Sequence, residues 1–240
     1  MRTIGLIGGM SWESSAEYYR IINKEVAHRL GGFHSAPCIL YSVDFAEIEL
    51  FQHTGRWIEA AALLQDAARR LERAGAGCIV LCTNTMHRVA DAIQASVSIP
   101  LLHIAAATGV RIQAQHLATV GLLGTRFTME QDFYRERLQT HSGLRVLIPD
   151  EEERATVHRI IYEELVRGLV LPASREAYTR SMQGLADRGA EGIILGCTEI
   201  MLLVGEKDSP VPIFDTTTIH AQAAVDFALA DARVEDTASE

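Results

Sequence analysis

"GAGCIVLCTNT", residues 75–85, returns later in the chain as "GAEGIILGCTE", residues 189–199. Each copy leads from a Gly-Ala turn into a continuous apolar run that ends in small polar residues. Continuous apolar runs suit strands buried on both faces, as in parallel sheets covered by helices. The repetition extends outward. "TIGLIGG" from Thr3 returns as "TVGLLGT" from Thr119, and each is followed by an aromatic pair and an arginine, Tyr18-Tyr19-Arg20 and Phe133-Tyr134-Arg135. "IPLLHI" from Ile99 returns as "VPIFDT" from Val211. The four matches keep one order and offsets of 112 to 116 residues, so the chain reads as a duplicated unit.

Between the matched segments the pattern alternates. "SAEYYRIINKEVAHRL" predicts a helix, "APCILYSVDF" a strand, and "WIEAAALLQDAARRLERAG" a helix with an Ala/Leu face that stops at Gly75. "CIVLC" and "IPLLHI" are strands separated by a helix through "HRVADAIQASV". "ATVGLLGT", "LRVLIP", "GIILG" and "VPIFDT" complete the set. The expected fold is therefore α/β, with two similar lobes related by pseudo-symmetry, each a mainly parallel sheet flanked by helices. The expected boundaries are 1–97 plus 211–230 for the first lobe and 98–210 for the second, with a disordered acidic tail over 231–240. Ligands of open α/β sheets bind beyond the carboxyl ends of the strands, so the expected site lies in a cleft where equivalent strand ends meet.

Composition excludes several classes. A formal net charge of -9 over 240 residues argues against nucleic-acid binding. No apolar run approaches the length of a membrane span. Cys38, Cys78, Cys82 and Cys197 lack zinc-like spacing and are too few for a disulfide scaffold, which reads as a cytosolic protein with reduced thiols. "GLIGG" is not a dinucleotide fingerprint. His87, His103 and His220 read as structural or cleft-lining histidines rather than metal ligands, and no metal is expected.

Aligned without gaps from the Gly-Ala pair, Gly75 falls on Gly189, Cys82 on Gly196, Thr83 on Cys197, Asn84 on Thr198 and Thr85 on Glu199. Threonine, not cysteine, therefore occupies the position equivalent to Cys197. Side chains alternate along a strand, so Cys82, one residue earlier, is expected on the other face. Two groups at equivalent positions suit inversion at carbon, one removing a proton from Cα and the other returning one to the opposite side. A thiol, with a free pKa of about 8.5, is a suitable acid/base. A helix starting after "GCTE" is expected to favour the thiolate. Backbone N–H groups around Thr83-Asn84-Thr85 and Thr198-Glu199 could hold a substrate carboxylate.

"IGLIGGMSW", "CTNTMH" and "GCTEI" together resemble the aspartate/glutamate racemase superfamily across nearly the whole chain. The resemblance implies racemisation without a cofactor, by two bases acting on an amino-acid substrate, and is compatible with a homodimer. Aspartate racemases of the usual type carry Cys-Asn-Thr, with cysteine where this chain has Thr83. "LCTNTMH" is similar to the L-aspartate/glutamate-specific branch, in which Cys197 would take the proton of the L-enantiomer and Thr83 would face the D-side. A hydroxyl donates a proton to a carbanion more readily than it abstracts one, in keeping with faster reaction from L. Met10 (through its backbone), Gln52, Thr83, Asn84, Thr85, Thr198 and Glu199 would bind substrate, with Cys82 and Thr125 as supporting residues. The chain departs from the usual cations for a side-chain carboxylate: "DFAEIELFQHTGRW" has no arginine before Arg56, and "IIYEELVRG" has Val166 at the lysine position. A racemase of broader specificity, a single-thiol malonate-type decarboxylase and a non-catalytic amino-acid-binding module remain as alternatives.

Overall fold

The structure, a computed structural model, describes residues 1–230. The stretch from Asp231, expected to be disordered, lies outside the described residues. The chain forms two compact units, Met1–His103 together with the chain from His220, and Ile104–Ile219.

In the first unit, β1 (Ile4–Gly8), β2 (Cys38–Ser42), β3 (Cys78–Leu81) and β4 (Leu101–Leu102) form a parallel sheet in the order β2-β1-β3-β4. Residues 78–82 alternate between two cores. Ile79 and Leu81 pack with Leu64, Ala67 and Leu71 of the helix Trp57–Arg73, whereas Cys78, Val80 and Cys82 share a cluster with Tyr18, Ile22, Val26, Ala221 and Val225. Leu64, Ala67, Ala68 and Leu71 recur at helical spacing, so one face of that helix is buried. Each fully buried leucine contributes about 1.5–3 kcal/mol. The helix Trp12–Leu30 starts at Ser11, whose hydroxyl accepts the Ser14 N–H, and stops at Gly31, whose φ is 71°.

The second unit repeats this plan. β5 (Thr119–Gly124), β6 (Arg145–Leu147), β7 (Ile193–Gly196) and β8 (Ile213–Asp215) form a parallel sheet in the order β6-β5-β7-β8. Gly5 pairs with Ile79 and Ile79 with Leu101; their counterparts Gly121, Ile193 and Ile213 pair in the same register. The expected duplication is thus present in strand order and in register.

Three expectations change. β4 hydrogen-bonds to β3 and β8 to β7, so each short strand stays with the sheet that precedes it, and the boundaries move from 97/98 and 210/211 to 103/104 and 219/220. The helix expected through residues 87–97 is instead a 3-10 turn, Thr85–Val89, followed by a short helix, Ala90–Gln94. Among the aromatic pairs, the two fully buried rings are Tyr18 and Tyr134, so Tyr18 corresponds to Tyr134 rather than to Phe133.

Candidate active site

The predicted residues gather at the carboxyl ends of the two central strands in each unit. In the first unit, Met10 follows β1 and Cys82 to Thr85 follow β3. The Cys82 N–H donates to the Ile7 carbonyl at 2.9 Å, extending the β1–β3 pairing by one residue. The Thr83 N–H then turns back to the Leu81 carbonyl at 2.8 Å, and the chain leaves the sheet there. Thr83 is 8% exposed, and Asn84 and Thr85 are also buried. Asn84, not Thr83, occupies the N-cap of the 3-10 turn and makes no side-chain capping bond. Gln52, on the helix Phe45–His53, is buried with its amide donating to Met86 Sδ at 3.1 Å. Met10 packs in the same core cluster as Ile48, Phe51 and Met86.

Gly9 makes this end of β1 possible. Its φ is +91°, and a Cβ there would collide with the backbone of Val43. Its N–H donates to Ser15 Oγ at 2.8 Å, Ser15 Oγ donates to the Ser11 carbonyl at 2.9 Å, and Ser14 Oγ donates to the Cys82 carbonyl at 3.3 Å. These serines tie the first helix to both strand ends.

Cys82 is fully buried on the face opposite Leu81, as strand alternation predicted. Its sulfur lies 3.8 Å from the Val80 carbonyl, and burial pushes its pKa far above the usual thiol value. The structure places it in the core rather than beside Thr83 as a supporting thiol.

In the second unit, Thr125 follows β5, and Cys197, Thr198 and Glu199 follow β7. Gly124 pairs with Gly196, so Thr125 and Cys197 leave adjacent parallel strands at the same level. Thr125 caps the helix Arg126–Glu130 by accepting the Thr128 N–H at 3.3 Å, which gives it a structural duty. A Cβ at Gly196, the counterpart of Cys82, would lie 2.9 Å from Leu122 Cδ1 and 3.0 Å from the Leu123 carbonyl, so a side chain there would crowd β5. Cys197 keeps partial exposure, while Thr198 and Glu199 are buried.

Glu199 sets the state of this site. One carboxylate oxygen, Oε2, accepts from Cys197 Sγ at 3.0 Å and from Thr198 Oγ1 at 2.6 Å. Burial and the neighbouring carboxylate hold the Cys197 thiol well above its ordinary pKa, against a smaller opposing effect of the Glu199 and Thr198 backbone N–H groups. The sequence led us to expect a thiolate favoured by the following helix. That helix, Ile200–Leu203, spans a single turn, and burial, with the carboxylate beside the sulfur, pushes the thiol the other way.

Val166 packs partly buried against the second core, and Arg56 is engaged with Glu59 at 2.8 Å over the Phe51 ring. Among the described residues, no group of three or more His, Cys, Asp or Glu side chains is arranged to hold a metal, and no helix is long and apolar enough to cross a membrane.

Sequence reading passed over one contact. His87, read only as structural or cleft-lining, donates from Nδ1 to the Thr83 carbonyl at 2.7 Å. Its place four residues after Thr83, in a turn following a strand, was the available signal.

Residues 7–224 match the model of the Asp/Glu/hydantoin racemase family. The chain belongs to that family. It is accordingly an isomerase. A candidate Asp/Glu racemase from Yersinia pestis, known from a crystal structure, is 58% identical, with a TM-score of 0.90 over 95% of this chain and 100% of that one. An aspartate racemase homologue from Pyrococcus horikoshii OT3 is 36% identical, with a TM-score of 0.81 over 95% of this chain and 99% of that one. The broad-specificity amino-acid racemase RacX of Bacillus subtilis (strain 168) is 26% identical over 172 residues, 69% of this chain and 70% of RacX.

Proposed function

We propose that this family member racemises L- and D-aspartate or glutamate without a cofactor, with Cys197 and Thr83 serving opposite faces of the substrate Cα. The observation that carries this reading is the shared register of the two sheets, in which Leu81 and Leu195 occupy equivalent paired positions and are followed two residues later by Thr83 and Cys197. The duplicated frame thus supplies one acid/base group from each unit.

The thiol begins protonated against Glu199. Its S–H proton passes to the Glu199 carboxylate, and the thiolate then takes the Cα proton of the L-substrate, re-forming S–H and leaving a carbanion. Thr83 donates its hydroxyl proton to the other face of Cα. Solvent returns a proton to the Thr83 alkoxide and takes one from Glu199, which restores the starting state. Backbone N–H groups at 83–85 and 198–199 hold the α-carboxylate and stabilise the charge it gathers. Because a hydroxyl is a poor base, Cα exchange runs faster from L than from D. The equilibrium constant of a racemisation is one, so the asymmetry lies in exchange and in the separate kcat and KM values.

The family and the two closely similar structures support the acidic substrate class, whereas RacX and the absence of the usual cations support a broader one. Proton NMR of the L- and D-forms of aspartate and glutamate in D2O, followed by chiral chromatography, tests both. Loss of the Cα proton from the L-forms, abolished in Cys197→Ser, is the expected result. Silence with all four acids but exchange with neutral amino acids assigns the broad-specificity reading. Binding with no exchange of any amino acid overturns the racemase reading.

A further inference from the structure

We infer that His87 is a positioning residue for Thr83: its ring N–H fixes the peptide that carries the Thr83 hydroxyl, a role that rests on the racemase reading above. His87 is almost fully buried, and its Nδ1 lies 2.7 Å from the Thr83 carbonyl oxygen. A carbonyl oxygen only accepts, so the role requires the tautomer in which Nδ1 carries the proton; the ring also meets the Leu102 carbonyl. Burial and the neighbouring histidines hold His87 well below its ordinary pKa, which keeps the ring neutral.

The ring itself cannot drift. His87 packs against His103 at 4.5 Å and against His220 at 5.7 Å between ring centroids. His220 is pinned in turn, its Nε2–H donating to the Leu102 carbonyl at 2.6 Å and its Nδ1 accepting the Tyr18 hydroxyl at 2.9 Å. The line Tyr18–His220–His87 thus runs from the first helix to the Thr83 carbonyl. Because a peptide is planar, gripping that carbonyl fixes the Thr83–Asn84 plane, and the Thr83 side chain turns with it.

The repeat shows that this is a local acquisition. The counterpart of His87 in the second unit is Met201, which packs partly buried against that unit's core. There the acid/base group is held through its side chain, by Glu199 on the Cys197 sulfur. A thiol that meets a carboxylate needs no grip on its backbone. A threonine whose hydroxyl must give up its proton gains from being steered by the main chain, which leaves the hydroxyl free of a competing bond.

The test separates the two faces. His87→Phe keeps a ring in the cluster and removes the donor, and His87→Asn places an amide N–H near the position of Nδ1–H. Both are assayed in D2O at saturating L-substrate, with thermal unfolding as a check on folding. We expect His87→Phe to retain Cα deuterium exchange of the L-substrate within about threefold and to lose D-product on the order of 100-fold, the size of a misplaced acid/base group. His87→Asn should recover most of the D-product. Parallel loss of exchange and inversion, unchanged inversion in His87→Phe, or failure of His87→Asn to recover it would each overturn the assignment. If His87→Phe does not fold, His87→Asn and His87→Gln decide: the role requires inversion to survive in the first and fall in the second, while exchange survives in both. Absence of exchange in the wild type is a different result, and overturns the racemase reading itself.

Discussion

The Cys197 thiol and the Glu199 carboxylate are 3.0 Å apart, and the oxygen that meets the sulfur also receives the Thr198 hydroxyl. A carboxylate so placed, together with burial, favours the protonated sulfur. Glu199 was expected to bind substrate; its contact with Cys197 gives it a second task, holding the thiol.

Replacing that charge should therefore release the thiol. In Glu199→Gln the two largest influences of Glu199, its charge and its hydrogen bond, are lost, and the Cys197 pKa falls toward the ordinary thiol range. Each unit of that fall raises the thiolate fraction about tenfold at a pH below the pKa. Site-resolved alkylation by iodoacetamide, followed by mass spectrometry across pH 6 to 10, should show the Cys197 profile moved to lower pH. An unmoved profile would mean that the carboxylate does not govern the sulfur.

In the proposed mechanism Thr83 serves the second face. Thr83→Ala should leave L-substrate exchange largely intact and reduce D-product about 100-fold or more, in line with loss of a general acid. Thr83→Cys should raise Cα exchange starting from the D-substrate at least several-fold, because a thiol is a better base than a hydroxyl. Equal loss of both signals in Thr83→Ala would remove Thr83 from the chemistry.

Cys82 should behave as packing. Cys82→Ala removes a fully buried sulfur from a cluster shared with Tyr18 and Val225, at a cost of about 1 kcal/mol in urea unfolding. Exchange and inversion should stay within about twofold of the wild type. A large loss of inversion at unchanged stability would return Cys82 to the site.

Acid should destabilise the first unit through its neutral histidines. His220 is held near a pKa of about 4 by burial, against an ordinary value of 6.5. The unfolded chain binds a proton that the folded chain refuses, so stability is full above about 6.5 and falls as pH drops toward 4. For His220 alone the loss between pH 7 and pH 5 is about 2 kcal/mol. Urea midpoints over that range should decline in the wild type and decline less in His220→Gln. A flat wild-type profile would contradict neutral burial.

Much of this protein is legible in its sequence. Buried strands impose continuous apolar runs, and a duplicated sheet imposes them twice, so "CIVL" and "IILG" announced β3 and β7 and gave Thr83 and Cys197 equivalent places after them. Strand alternation also turned Cys82 to the face opposite Leu81. The boundaries were read less well, because "IPLLHI" and "VPIFDT" are symmetric candidates for either sheet and only hydrogen bonding assigns them.

What the sequence by itself determined was the α/β duplication and the pair of equivalent positions, since both follow from local periodicity and spacing. Tertiary structure alone decided that the Cys197 sulfur meets the Glu199 carboxylate, that the three histidines and Tyr18 meet, and that His87 lies against the Thr83 carbonyl. Those outcomes depend on rotamers, on desolvation and on contacts between segments as distant as Tyr18 and His220. A spacing rule carries no information about a side chain that folds back onto its neighbour, or about the water excluded when it does.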